Sequence, residues 1–181
     1  TADDFPVIPR STGSMLKIDS AVFKEKINKV NVSTAKEDTR PILTGVLWEL
    51  VDNGLNLVAT DGFRLSTEVL QVKDIKNLVG KRYIIPAKSL LEVSKAVTEF
   101  ALDEFGIEFD DKTRQVIFVL KNIEISSRLL EGEYPPYQQI IPNTYNTKMS
   151  LSREELLSAV KRASLFARDN ANIIKIRVEE N

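Results

Sequence analysis

The dipeptide Asn53-Gly54 falls between two short apolar runs, residues 46–51 and 55–59. A glycine-containing two-residue turn matches the right-handed twist of the strands it joins, so this pattern is the strongest short-range signal for an antiparallel hairpin. It commits this part of the chain to sheet, and the neighbouring segments follow the same grammar. Asp61-Gly62 marks a second tight turn before an extended segment at 64–70. Further on, residues 106–109, 115–120 and 123–128 read as three short strands, joined by Asp110-Asp111-Lys112-Thr113 and by Lys121-Asn122.

Three segments change to helical period. After the polar cap offered by Ile18-Asp19-Ser20, the residues Val22, Phe23, Ile27 and Val30 recur at helical spacing with lysines between them, predicting an amphipathic helix over 20–31. Pro86 opens a second helix, with Leu90, Leu91, Val93 and Val97 as its buried stripe and Lys88, Glu92, Lys95 and Glu99 outside. Ser152 with Glu155 forms a capping box, and Leu156, Leu157, Val160 and Ala163 continue the stripe of a third. The order of strand, helix, several strands, helix and several strands predicts an α+β domain with two helices over one face of antiparallel sheets.

Composition closes most catalytic routes. The 181 residues include neither cysteine nor histidine, which removes disulfides, thiolate ligands, the cysteine nucleophile and the commonest general base near neutral pH. No run of apolar residues is long enough to span a bilayer, and no basic-then-apolar leader opens the sequence, so a cytoplasmic location is the default and no membrane partner is expected. A formal charge of −1 provides no overall pull toward nucleic acid.

The chain also repeats itself weakly. Met15-Leu16-Lys17-Ile18-Asp19, leading to Phe23, Ile27 and Val30, is echoed by Met149-Ser150-Leu151-Ser152, leading to Leu156, Val160 and Ala163. Val46-Leu47-Trp48-Glu49 then lines up with Ile176-Arg177-Val178-Glu179. A repeat of domain length predicts a second copy of one module, begun but not finished, with an opening strand, a helix and part of a strand. Residues 1–13 read as the tail of a preceding domain or as a linker, 14–142 as a complete domain and 143–181 as the start of the next.

Three segments in order carry a family resemblance: Arg40-Pro41-Ile42-Leu43-Thr44-Gly45, Thr60-Asp61-Gly62-Phe63-Arg64-Leu65, and Gly132-Glu133-Tyr134-Pro135-Pro136-Tyr137 running on to Pro142. They resemble the middle domain of the bacterial sliding clamp, the β subunit of DNA polymerase III. The resemblance implies a DNA-clamp fold, with two helices packed on antiparallel sheets in each of three domains, and a head-to-tail homodimeric ring around double-stranded DNA. It implies a non-catalytic processivity factor with no cofactor and no metal. Its implied partners are the polymerase III α subunit, the clamp loader and other clamp-binding proteins, which attach by short apolar peptides of the Gln-Leu-x-Leu-Phe type.

The positions that the resemblance assigns to the peptide groove are Leu43, Thr60, Gly62, Phe63, Arg64, Leu65, Pro135, Gln139 and Ile140. Their chemistry suits that role: an apolar floor, a glycine for close backbone approach and a planar guanidinium donor. Many relatives have His where Phe63 stands and Arg or Lys at Gln138 and Gln139, so the rim here is less basic. For DNA the resemblance implies Arg40 and Lys88, followed by Lys36 and Lys95, although a single lysine is most often a solvated surface group.

Plainer readings compete. Thr60-Asp61-Gly62 is a turn on structural grounds alone, and Pro135-Pro136-Tyr137 would serve as a stiff connector. A stand-alone peptide-binding module is the alternative to a clamp. A cation-dependent enzyme would use Asp61, Asp103, Glu104, Asp110 and Asp111, but no phosphate-cradling glycine loop accompanies them. Sequence-specific DNA binding lacks a helix with a basic, base-reading face.

Overall fold

The computed structural model describes residues 10–13, 15–37, 39–72, 75, 78–168 and 173–178. Its chain forms two units, Thr1–Tyr137 and Gln138–Asn181. In order, the first unit holds β1 (Leu16–Asp19), α1 (Ser20–Asn31), β2 (Gly45–Val51), β3 (Gly54–Thr60), β4 (Leu65–Leu70), β5 (Arg82–Pro86), α2 (Ala87–Glu99), β6 (Glu104–Asp110), β7 (Gln115–Leu120) and β8 (Ile123–Arg128). The strands form two four-stranded antiparallel sheets, ordered β4-β3-β2-β5 and β1-β6-β7-β8, which with the helices make the expected α+β architecture.

Helix α1 starts where Asp19 Oδ1 accepts the Val22 N–H at 2.8 Å, satisfying one of the first-turn donors. Phe23, Ile27 and Val30 are fully buried at i, i+4 and i+7, whereas Val22, expected in the same stripe, is 38% exposed. Lys26 anchors the helix to β4 through Glu68 at 2.6 Å. In α2 the residues Leu90, Val93 and Val97 are buried as expected, and the stripe gains Ser94 while Leu91 stays half-exposed.

The β2–β3 hairpin forms one residue earlier than the Asn-Gly pair suggests. Val51 pairs with Gly54, so Asp52 and Asn53 make the turn, and neither has a positive φ. Gly54 is needed for a different reason: its φ is 140°, and a Cβ there would sit 2.2 Å from the Leu70 carbonyl oxygen of β4. Strand β5 has no clear counterpart in the sequence reading. It pairs antiparallel with β2, Ile85 opposite Val46 and Tyr83 opposite Trp48.

The main core lies between the two sheets and the helices. Val46, Trp48, Leu57, Ala59 and Ile85 face Phe23, Ile27, Leu90 and Val93 from the helices and Phe105, Val116 and Phe118 from the second sheet. Phe23 and Phe105 meet edge to face at 4.9 Å. A smaller cluster, Leu43, Leu47, Val58, Ile84, Tyr134 and Tyr137, covers the other face of the β4-β3-β2-β5 sheet. Burial on both faces explains why β2 and β3 read as unbroken apolar runs rather than as alternating strands.

That second cluster is closed by an irregular strap, residues 129–137. Leu130 N–H donates to the Ile84 carbonyl of β5 at 2.8 Å, and the Tyr137 hydroxyl donates to Glu49 of β2 at 2.5 Å. At the chain's other end, Ser11 Oγ and Thr12 N–H donate to Glu108 of β6 at 2.7 and 2.9 Å.

In the second unit, α3 (Arg153–Ala167) starts at Ser152, whose hydroxyl accepts the Glu155 N–H at 3.4 Å. Its expected stripe is not a buried face: Leu156 and Leu157 are each 39% exposed and Ala163 is exposed. The strands expected at 149–152 and from Ile176 do not form among the described residues. An apolar strand segment with no neighbour to pair with lacks the ladder that would stabilise it.

Candidate functional site

The hairpin turn between β3 and β4 is built by short-range hydrogen bonds. Asp61 Oδ1 accepts the backbone N–H groups of Phe63 and Arg64, both at 3.0 Å, and Oδ2 accepts Arg64 Nε at 2.8 Å. Thr60 Oγ1 accepts the Gly62 N–H at 3.0 Å and donates to the Arg64 carbonyl at 2.7 Å. Gly62 has a φ of 94°, which a side chain would resist. Burial is the largest single influence on the Asp61 carboxyl and would push it up. The bonds from Phe63, Arg64 and the guanidinium together outweigh burial and hold the group below the usual carboxylate range.

The turn displays its residues unevenly. Thr60 is buried, Leu65 half-buried, and Phe63 fully exposed at 100%. Beside it opens a cavity of about 630 Å3 whose lining includes Thr34, Ala35, Leu43, Gly62, Phe63 and Arg64. Arg40 and Lys36 also line it, and a Cβ on Gly62 would lie 3.5 Å from Arg40 Nη1. The Arg40 guanidinium thus stands beside the turn's glycine. Of the sequence-derived groove residues, Leu43, Gly62, Phe63 and Arg64 share this cavity, and Leu65 joins Leu43 in the apolar cluster under it.

Tyr134 brings the strap to the same turn. Its hydroxyl accepts the buried Thr60 N–H at 3.1 Å and lies 3.4 Å from the Val58 carbonyl. Burial pushes this phenol up to about 12, against the opposing effect of the Thr60 N–H. Pro135, exposed, follows directly. Gln139 and Ile140 belong to the second unit and are exposed, Ile140 at 65%. Sequence reasoning placed Tyr134 within the Gly132-to-Tyr137 segment but gave it no site role, and it did not single out Ala35 or Thr34. A tyrosine immediately ahead of two prolines was the available signal for the first, since a buried tyrosine usually finds a partner for its hydroxyl.

The basic candidates fall in two places. Lys88, exposed in the first turn of α2, borders a depression of about 340 Å3 together with Asn31, Thr34, Lys36, Pro86 and Leu91. Lys95 lines a groove between α1 and α2 with Lys24, Asn28 and Thr98, and is paired with Glu92 at 2.7 Å. Arg40 stands apart from these, beside Gly62, while Lys36 borders both hollows.

Four of the five carboxylates weighed as cation ligands have other occupations. Asp61 holds its turn, Asp110 accepts the N–H groups of Lys112 and Thr113, Asp111 bonds Lys81 and the Tyr83 hydroxyl, and Glu104 pairs with Lys17. Among the described residues no three acidic side chains gather as a metal site, and no helix is long and apolar enough to cross a membrane.

Comparison with known proteins gives a consistent picture. The β sliding clamp of Staphylococcus aureus is 36% identical over 176 residues, covering 96% of this chain and 45% of that protein. The crystal structure of the DNA polymerase sliding clamp from Bacillus subtilis superposes with a TM-score of 0.81 at 33% identity, over 93% of this chain and 43% of that one. A sliding clamp from Bartonella birtlesii, crystallised bound to griselimycin, gives 0.79 at 27%, over 93% and 45%. The chain therefore spans somewhat less than half the length of these relatives. Residues 17–136, which hold all but the first residue of the two sheets and the Thr60–Tyr134 contact, match the central domain of the DNA polymerase III beta subunit, and the chain belongs to that family, the sliding clamps.

Proposed function

We propose that residues 14–142 are the middle domain of a DNA sliding clamp, 143–181 the start of a third such domain, and 1–13 the tail of a first domain or a linker. The full-length protein closes head to tail as a homodimeric ring on double-stranded DNA. It acts in the cytoplasm as a non-catalytic processivity subunit, held by topology rather than by sequence readout. Arg40 and Lys88 face the DNA phosphates, followed by Lys36 and Lys95. Such charges retain the duplex without fixing it, and a near-neutral chain is compatible with sliding.

The polymerase α subunit, the clamp loader and other partners attach through short apolar peptides. One observation supports the peptide site above all: a turn locked by Asp61 presents a fully exposed Phe63 beside a cavity with Leu43 in its wall. A preorganised apolar hollow with few, well-placed donors is what a short peptide needs. Leu43, Thr60, Gly62, Phe63, Arg64, Leu65 and Pro135 are its residues in the first unit, and the family resemblance adds Gln139 and Ile140. That the Bartonella clamp was crystallised bound to griselimycin supports a fold that accepts a ligand.

The test is an NMR titration of the labelled chain with a Gln-Leu-x-Leu-Phe peptide. Shifts clustered at Thr60, Gly62 to Leu65 and Pro135 to Ile140 are expected; shifts elsewhere, or none at millimolar peptide with the full-length protein, would overturn the assignment. Retention of the full-length protein on circular but not linear DNA tests the ring. Peptide binding without such retention would favour the stand-alone module.

A further inference from the structure

We infer that Tyr134 is a positioning residue for the peptide turn, joining the turn to the Pro135 edge of the proposed groove through its hydroxyl; this rests on the peptide-site reading above. Strand β3 pairs with β4 as far as Thr60 opposite Leu65, but its pairing with β2 stops at Val58 opposite Leu47. The Thr60 N–H is therefore left beyond the end of the β2–β3 ladder, on a residue that is only 4% exposed. A buried backbone donor without a partner is strongly disfavoured. The Tyr134 hydroxyl takes the place of the missing strand residue, at 3.1 Å from Thr60 N and 3.4 Å from the Val58 carbonyl.

The consequence reaches the turn in one further step. Thr60 uses its own hydroxyl to hold Gly62 N–H and the Arg64 carbonyl, so fixing the Thr60 backbone fixes the loop that carries Phe63 and Arg64. The same tyrosine precedes Pro135 in the strap, and its ring packs in the cluster with Leu43, Leu47, Val58 and Ile84. One side chain thereby sets the distance between the turn and the Pro135 edge. A phenylalanine would fill the same space and keep the cluster, but would leave the Thr60 N–H unpaired and the turn free to pivot about the end of β3.

The experiment compares three forms of the full-length protein: wild type, Tyr134→Phe, and Phe118→Leu as a core variant in the other sheet. Each is measured for affinity toward the Gln-Leu-x-Leu-Phe peptide, thermal midpoint, and hydrogen exchange at the Thr60 amide. The expected result is about fivefold weaker peptide binding in Tyr134→Phe, the equivalent of one hydrogen bond, with faster exchange at Thr60. Phe118→Leu should lower the midpoint while keeping wild-type affinity. Unchanged affinity in Tyr134→Phe, with wild type still binding, would overturn the positioning role and leave the peptide site intact. An equal loss of affinity in Phe118→Leu would overturn it too, as a general effect of stability. A wild type that does not bind the peptide would overturn the site assignment and the inference with it.

Discussion

Asp61 and Arg64 are joined twice within one turn, through the Arg64 backbone N–H at 3.0 Å and through its Nε at 2.8 Å. The carboxylate thus sets both the path of the chain and the direction of the guanidinium. Replacing Asp61 by Asn keeps an oxygen acceptor for the two N–H groups but releases the Arg64 side chain. The expected outcome is a native-like turn with a mobile guanidinium, visible as a narrowed and faster-exchanging Nε–H resonance. Asp61→Ala removes all three bonds and should lower stability by about 1 kcal/mol, with loss of amide dispersion at Phe63 and Arg64.

The same carboxylate makes the turn acid-sensitive. Its folded value is held below the ordinary one, so its contribution is present above the unfolded value of about 4 and is lost as pH falls through the lowered folded value. Amide shifts of Phe63 and Arg64 should stay constant from neutral pH down to about 4 and then move together. Movement beginning near pH 6 would contradict this.

Glu68 offers a second check of the same sign. The Lys26 hydrogen bond is the largest influence on it and lowers its value, with a lesser contribution from Lys29 at 3.6 Å. In Lys26→Met the Glu68 carboxyl should titrate closer to an ordinary glutamate, as read by carbon-detected NMR. Both partners are half-buried, so the substitution should also lower stability by about 1 kcal/mol, detectable as a shift in urea midpoint.

Gly54→Ala is expected to be far more damaging than a hairpin glycine usually is. The new methyl would meet the Leu70 carbonyl oxygen at 2.2 Å, and the φ of 140° is itself unfavourable for alanine. A loss of at least about 2 kcal/mol is expected, with the β3–β4 amides near Leu55 and Leu70 losing exchange protection first.

How much of this could be read from the sequence depended on how local each interaction is. The α1 stripe of Phe23, Ile27 and Val30 and the β7–β8 hairpin were legible, because period and turn residues lie within a few positions of one another. Strand β5 was not: Tyr83-Ile84-Ile85 is a short apolar run wedged between Gly80 and a helix start at Ala87, and it becomes a strand only by pairing with β2. The α3 stripe was legible as a helix but not as a buried one, since periodicity shows which face is apolar and not what covers it. At the candidate site the Thr60–Leu65 turn stood out through its Asp-Gly pair and its family resemblance. Tyr134 lay in another segment of that resemblance, but the role of its hydroxyl did not show, because a bond across 74 positions leaves no local periodicity.

The way β1 is placed has a consequence for how the chain reaches this state. Its four residues pair with β6, Leu16 opposite Ile107 and Asp19 opposite Glu104. Within this domain β1 comes first in the chain, yet it finds its neighbour only across the β2–β3–β4 meander, β5 and α2. Long-range pairings of this kind are slow to form, whereas a meander closes locally. The expected order is therefore the hairpins around Asp52-Asn53 and the Thr60–Leu65 turn first, and the β1–β6 pairing after them.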